Sequence, residues 1–185
     1  MKQVIGLVGP IASGKGTVVK ILSERGYAPY SLSDRIREEI TKRGYEITRQ
    51  TLTNVANELR ETLGSDILAK RTVELVEKDN PEHVIVDSIR NPQEVMFLKN
   101  HFGTKIIGIV ANQQRRFELF KQRGTNTAGI NTWNEFKKLD DSEQAQEGSH
   151  RQQVQACLEL ADIVIENNGT IEELKQKVET FVASI

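Results

Sequence analysis

The chain has 185 residues, 37% hydrophobic and 28% charged, the balance of a soluble globular protein with enough length for one domain and a sizeable core. Lys and Arg number 25 against 26 Asp and Glu, so at a net charge of -1 nucleic acid is not expected as the main partner, and any anion must be held by local clusters of positive charge. A single cysteine, Cys157, excludes an intrachain disulfide and a zinc cluster built on thiolates. No apolar run approaches the length of a membrane span, and Val4–Val8 is too short for a signal-peptide core, so a cytoplasmic protein is expected.

In chain order, short apolar runs predict strands at Gln3–Val8, Ala28–Ser31, His83–Asp87, Lys105–Ala111 and Asp162–Glu166. Amphipathic stretches predict helices at Lys15–Glu24, Ser33–Lys42, Arg49–Leu63, Ser65–Lys78, Pro92–Asn100, Gln113–Gln122 and Ile171–Val182. Val154–Leu158 also reads as helical, with Cys157 as a small core residue. The alternation is that of an α/β protein whose right-handed crossovers place helices on both faces of a parallel sheet. Two segments exceed what a crossover needs. Residues 33–78 carry three helical stretches between the second and third strands. Residues 124–150 are polar, with one short amphipathic piece at Trp133–Leu139. Both are expected to cover a site at the carboxyl ends of the strands, where open α/β sheets bind ligands.

The strongest motif is Gly9-Pro10-Ile11-Ala12-Ser13-Gly14-Lys15-Gly16-Thr17, a G-x-x-x-x-G-K-x-T sequence between a predicted strand and a predicted helix. Gly9, Gly14 and Gly16 let the loop curl, so that its amides, including those of Ile11, Ala12 and Ser13, turn inward toward phosphate oxygens. The helix N-terminus adds positive dipole charge. Lys15 can bridge the β- and γ-phosphates of ATP, and the Thr17 hydroxyl can ligate Mg²⁺.

Two further constellations fall at strand ends. In Ser33-Asp34-Arg35-Ile36-Arg37, Ser33 and Asp34 open a helix directly after the second strand, either as caps or as substrate contacts, and Arg37 follows one turn later. In Val84-Ile85-Val86-Asp87-Ser88-Ile89-Arg90, a buried strand delivers Asp87 to the carboxyl edge as a second magnesium-shell carboxylate, with Arg90 three residues on. Arg60, in Asn57-Glu58-Leu59-Arg60, could add another cation from residues 33–78.

The Gly-Lys-Gly-Thr form of the loop resembles adenylate kinase and related nucleoside monophosphate kinases. Asp87…Arg90 resembles their Asp-Gly-x-Pro-Arg signature, without the proline, and Arg37 is similar in placement to the arginine that holds the acceptor's α-phosphate. Across essentially the whole chain, the strings Ser31–Glu39, Asn57–Arg60, Val86–Pro92 and Glu159–Asp162 resemble one branch. It comprises archaeal adenylate-kinase-related, dephospho-CoA-kinase-like proteins and the kinase-like domain fused to some deoxycytidylate deaminases. The resemblance implies a P-loop NTPase fold with a five-stranded parallel sheet. It also implies an acceptor-binding flap at 33–78, a lid at 124–150, and ATP with Mg²⁺. The histidine and cysteine content excludes a zinc deaminase.

The resemblance further implies a lid helix in Arg115–Arg123, with Arg116 toward the nucleotide and Arg123 toward the transferring phosphoryl group. Leu119 stands where relatives often have an arginine, and no arginine occurs between Gly124 and His150, where Lys137 and Lys138 supply the positive charge; Arg151 could substitute. Asn168 and Gly169, in the loop before the last helix, are implied adenine contacts, with Thr170 as N-cap. No Asn-Lys-x-Asp guanine signature is present. Three readings stay open: transfer to a nucleoside or deoxynucleoside monophosphate, with Lys15, Asp87, Arg90 and Arg123 catalytic; dephospho-CoA kinase, with Asp34 as base; or a nucleotide-binding regulator with little transfer activity.

Overall fold

The computed structural model describes residues 2–122, 130–144 and 152–185. Five strands, β1 Gln3–Val8, β2 Ala28–Ser31, β3 His83–Asp87, β4 Lys105–Val110 and β5 Ile163–Glu166, form one parallel sheet in the order β2-β3-β1-β4-β5. The helices are α1 Lys15–Ser23, α2 Leu32–Lys42, α3 Arg49–Leu63, α4 Ile67–Asp79, α5 Pro92–Phe102, α6 Gln113–Gln122, α7 Trp133–Gln144, α8 Val154–Glu159 and α9 Ile171–Val182. Strand order reverses at β1, which places the phosphate loop in the crevice at the carboxyl edge.

The central strands β1, β3 and β4 have apolar interiors because both their faces are covered, whereas the edge strands β2 and β5 are partly exposed, Val164 at 48%. Val4, Val8, Val84, Val86 and Ile106 pack against α2, α3, α4, α5 and α8, while Ile5, Leu7, Ile85, Ile107 and Ile109 pack against α1 and α9. The period of two in β1, β3 and β4 follows from the pleat. Neighbouring side chains, one from β4 and one from α8, press closely over two glycines of the sheet. A Cβ on Gly6 would lie 2.6 Å from Ile106 Cδ1, and one on Gly108 would lie 2.8 Å from Leu158 Cδ2.

At two element ends, side chains satisfy backbone groups that would otherwise lack a partner. β5 starts one residue later than expected because Asp162 turns its carboxylate onto the Ile106 amide (2.7 Å), while its own amide donates to the Ile106 carbonyl (2.8 Å). Burial alone would push the Asp162 carboxyl up. The Ile106 amide and the Lys99 ammonium 3.0 Å away hold it below its ordinary value. Helix α5 opens on a capping box: Asn91 accepts from the Gln93 amide (2.9 Å) and Glu94 reaches back to the Asn91 amide (3.0 Å), with Pro92 at the first helical position. Helix α7 extends the short expected Trp133–Leu139 piece to Gln144. Its Trp133 and Phe136 join Phe117 and Phe120 of α6, and Ile11 and Ala12 of the phosphate loop, in a third apolar cluster.

Candidate active site

The phosphate loop has the curled backbone its glycines require. Gly9 and Gly14 hold φ of 145° and 108°, and Ala12 adopts φ 57°. Besides this conformational demand, a Cβ on Gly9 would strike the Ile109 carbonyl, and one on Gly14 the Asn167 amide group. Gly16 differs: it is exposed, and an added Cβ meets nothing within 4 Å. The Lys15 ammonium donates to the Gly9 (2.7 Å) and Pro10 (2.9 Å) carbonyls. It therefore lies across the loop mouth, where a phosphate oxygen would compete for it. Asn167, adjacent to the expected contacts Asn168 and Gly169 and without a local motif of its own, donates from Nδ2 to the Ser13 carbonyl (2.9 Å), while its backbone amide donates to the Val110 carbonyl (2.7 Å). It pins the loop to the end of β4.

A cavity of about 750 Å³ opens on this loop. Lys15, Gly16 and Thr17 line it from α1, and Asp87, Ser88 and Arg90 from the end of β3. The Asp87 Oδ1 atom is buried without a hydrogen-bond partner among the described residues, as is the Ser13 hydroxyl of the loop. Desolvated carboxylate oxygen without a partner is costly, and a hydroxyl oxygen in the same cavity makes an all-oxygen donor set. Thr17 and Asp87 therefore fit a hydrated Mg²⁺.

Arg90 is held from three sides. Its amide donates to Glu94 (2.9 Å), its carbonyl accepts from the Gln153 amide (2.7 Å), and Nη1 donates to the buried Gln152 (2.9 Å). Arg60 is placed otherwise than expected. Its side chain is 1% exposed and forms a pair with the 0%-exposed Glu94, 2.9 Å from Nε and 2.8 Å from Nη2 to Oε1. Here it is an internal strut rather than a group facing a substrate, because Glu94 is released from neither the helix cap nor the arginine. Arg37 and Asp34 are exposed and bonded to one another at 3.0 Å, and Ser33 points its hydroxyl at Ser88 (2.8 Å).

On the nucleotide side, Arg116 is 4% exposed. It donates to the Ala111 carbonyl (3.1 Å), to the Ile11 carbonyl of the phosphate loop (3.2 Å), and through both terminal nitrogens to Asp140 of α7, with Nη2 at 2.6 Å. Its charge is thus committed internally, contrary to the expectation that it faces the nucleotide. Its sequence neighbour Arg115 lines a separate depression with Asn112, Gln114, Glu118 and Asn168. Asn168 Oδ1 accepts from the Asn112 amide (2.9 Å), and Gly169 abuts the Glu173 carboxylate. Arg123 and Arg151 lie outside the described residues.

The family profile described as an AAA domain matches residues 5–148, which places the chain in that class of P-loop proteins. It is 33% identical to a UPF0200 protein of Thermococcus kodakarensis over 99% of this chain and 98% of the relative, and 33% identical to a UPF0200/UPF0201 protein of Archaeoglobus fulgidus over 99% of this chain. The chain spans 56% of that second relative's length. The chain belongs to the UPF0200 family. Its fold is that of the shikimate kinase from Acinetobacter baumannii (TM-score 0.60, 20% identity, covering 100% of this chain and 94% of that one). The shikimate kinase from Bacteroides thetaiotaomicron is also similar (TM-score 0.56, 14% identity, 98% of each chain). The chain thus has a P-loop kinase-like fold.

Proposed function

We propose that the chain transfers the γ-phosphoryl group of ATP to a nucleoside or deoxynucleoside monophosphate. The observation that carries this reading is the joining, in one cavity, of the phosphate loop (Lys15, Thr17) with Asp87 and Arg90 from the neighbouring strand. Phosphoryl transfer asks the protein mainly for positioning and charge neutralisation. Loop amides and Lys15 hold the triphosphate tail, and Arg90, its amide bonded to Glu94 and its guanidinium to Gln152, brings a planar cation to the same cavity. Thr17 and Asp87 would hold Mg²⁺, which neutralises phosphate charge when bound. Arg123, Asn168 and Gly169 belong to the proposal as nucleotide-side groups, residues 33–78 as the acceptor flap, and residues 124–150 as a lid. A cytoplasmic location is part of the same reading; among the described residues no helix is long and apolar enough to cross a membrane.

A second reading, transfer to a hydroxyl acceptor as in dephospho-CoA kinase, draws on one observation. Two of the arginines expected at an acceptor phosphate are already paired, Arg37 with Asp34 and Arg60 with Glu94. A coupled assay with Mg·ATP against a panel of monophosphates and dephospho-CoA separates the two, and nucleotide binding without any product would instead favour a regulator. Lys15→Ala is expected to reduce transfer ~10²–10³-fold, by analogy with removal of a single transition-state donor. Unchanged activity would remove the loop from the mechanism.

A further inference from the structure

Beside the phosphate loop, three serine hydroxyls meet. Ser31, at the end of β2, donates to Ser88 (3.0 Å), Ser33 donates to Ser88 (2.8 Å), and Ser31 and Ser33 lie 3.0 Å apart. Ser88 sits immediately after β3 with φ 64°, a left-handed conformation that a serine adopts at a cost and a glycine would adopt freely. Asp87-Ser88-Ile89-Arg90 thus places a side chain where the Asp-Gly-x-Pro-Arg pattern has none. A strained residue persists where its surroundings hold it, and such residues cluster at binding sites.

Counting protons gives the direction of the group. A hydroxyl carries one proton and accepts two. Ser31 and Ser33 also contact one another, so their two protons serve three contacts, and because Ser88 is the acceptor in both of its own, the Ser88 proton is left to be donated whichever way the other two point. A hydroxyl that accepts a hydrogen bond is polarised into a stronger donor. Ser88 lines the cavity together with Lys15, Asp87 and Arg90.

We propose that the Ser31–Ser33–Ser88 cluster is an acceptor-recognition element, with the Ser88 hydroxyl donating to an anionic phosphate oxygen of the acceptor monophosphate. This rests on the phosphotransferase reading above. With Arg60 internal and Arg37 paired to Asp34, a neutral donor beside Arg90 supplies recognition that those arginines do not supply in this conformation.

Two substitutions separate binding from structure. Ser88→Gly removes the hydroxyl and relieves the left-handed strain, whereas Ser88→Ala removes the hydroxyl and keeps the strain. AMP, CMP, UMP and dCMP are titrated calorimetrically into the magnesium complex of a non-hydrolysable ATP analogue, and thermal melts are recorded alongside. Both variants are expected to weaken the bound monophosphate ~5–10-fold. Their affinity for the ATP analogue stays unchanged, and Ser88→Gly melts ~3 °C or more above Ser88→Ala. If the native protein binds a monophosphate and Ser88→Gly binds it equally well, the Ser88 assignment falls while the phosphotransferase reading stands. If the native protein binds the ATP analogue but none of the four monophosphates, the acceptor reading falls and the assignment with it.

Discussion

At the scale of single residues, the site depends on side chains that hold other groups in place. Asn167 contributes one hydrogen bond to the Ser13 carbonyl, behind the loop rather than toward the cavity. Asn167→Ala is expected to leave the fold intact and weaken Mg·ATP ~5-fold, about 1 kcal/mol, since one neutral hydrogen bond is lost; calorimetric titration measures it. Cys157 is buried without exposure in α8, and burial, with the nearby Glu94 carboxylate, pushes its thiol well above its ordinary value. The thiolate is the reactive form. Alkylation by a thiol reagent at pH 8 is therefore expected to proceed at the rate of unfolding, and immediate labelling in native buffer would contradict this packing. That the loop motif, Asp87 and Arg90 meet at one cavity was legible in the sequence because each lies at the carboxyl end of a strand with a recognisable local pattern. Arg60 and Arg116 were misread for the opposite reason. Each has its partner, Glu94 or Asp140, 34 and 24 residues away, and no local pattern reports a pairing at that distance.

Among the elements, strands were legible almost to the residue, most clearly β1, β3 and β4, where covering both faces makes the interior a short apolar run bounded by loop chemistry. The differences lie at ends governed by long-range bonds, as where Asp162 delays β5 by binding the Ile106 amide of β4. With its folded pKa held below the ordinary carboxylate value of ~3.9, the ionised Asp162 stabilises the protein above that pH, and the contribution disappears as pH falls through the lowered value. Asp162→Asn is expected to melt below the native protein at pH 7, with the difference closing beneath about pH 4; parallel melts from pH 3 to 8 check the sign. Between α3 and α5, the Arg60–Glu94 pair is fully desolvated. Arg60→Met strands the Glu94 carboxylate and is expected to cost about 3–5 kcal/mol in denaturant unfolding, whereas Arg60→Met with Glu94→Leu costs less than the two single changes added.

For the whole molecule, a parallel sheet with helices on both faces follows from alternation and handedness, so the sequence carried that much, whereas the strand order β2-β3-β1-β4-β5 and the docking of α7 on the phosphate loop rest on packing between distant segments that periodicity does not encode. That docking has a mechanical consequence. The Arg116 guanidinium spans three separate pieces of chain: the end of β4 through Ala111, the phosphate loop through Ile11, and α7 through Asp140. One charged group thereby works as a rivet, and any displacement that lifts α7 must either drag the Ile11 carbonyl or leave a buried cation facing a single neutral oxygen pair. The posture of that helix and the curvature of the loop are consequently not independent variables in this protein.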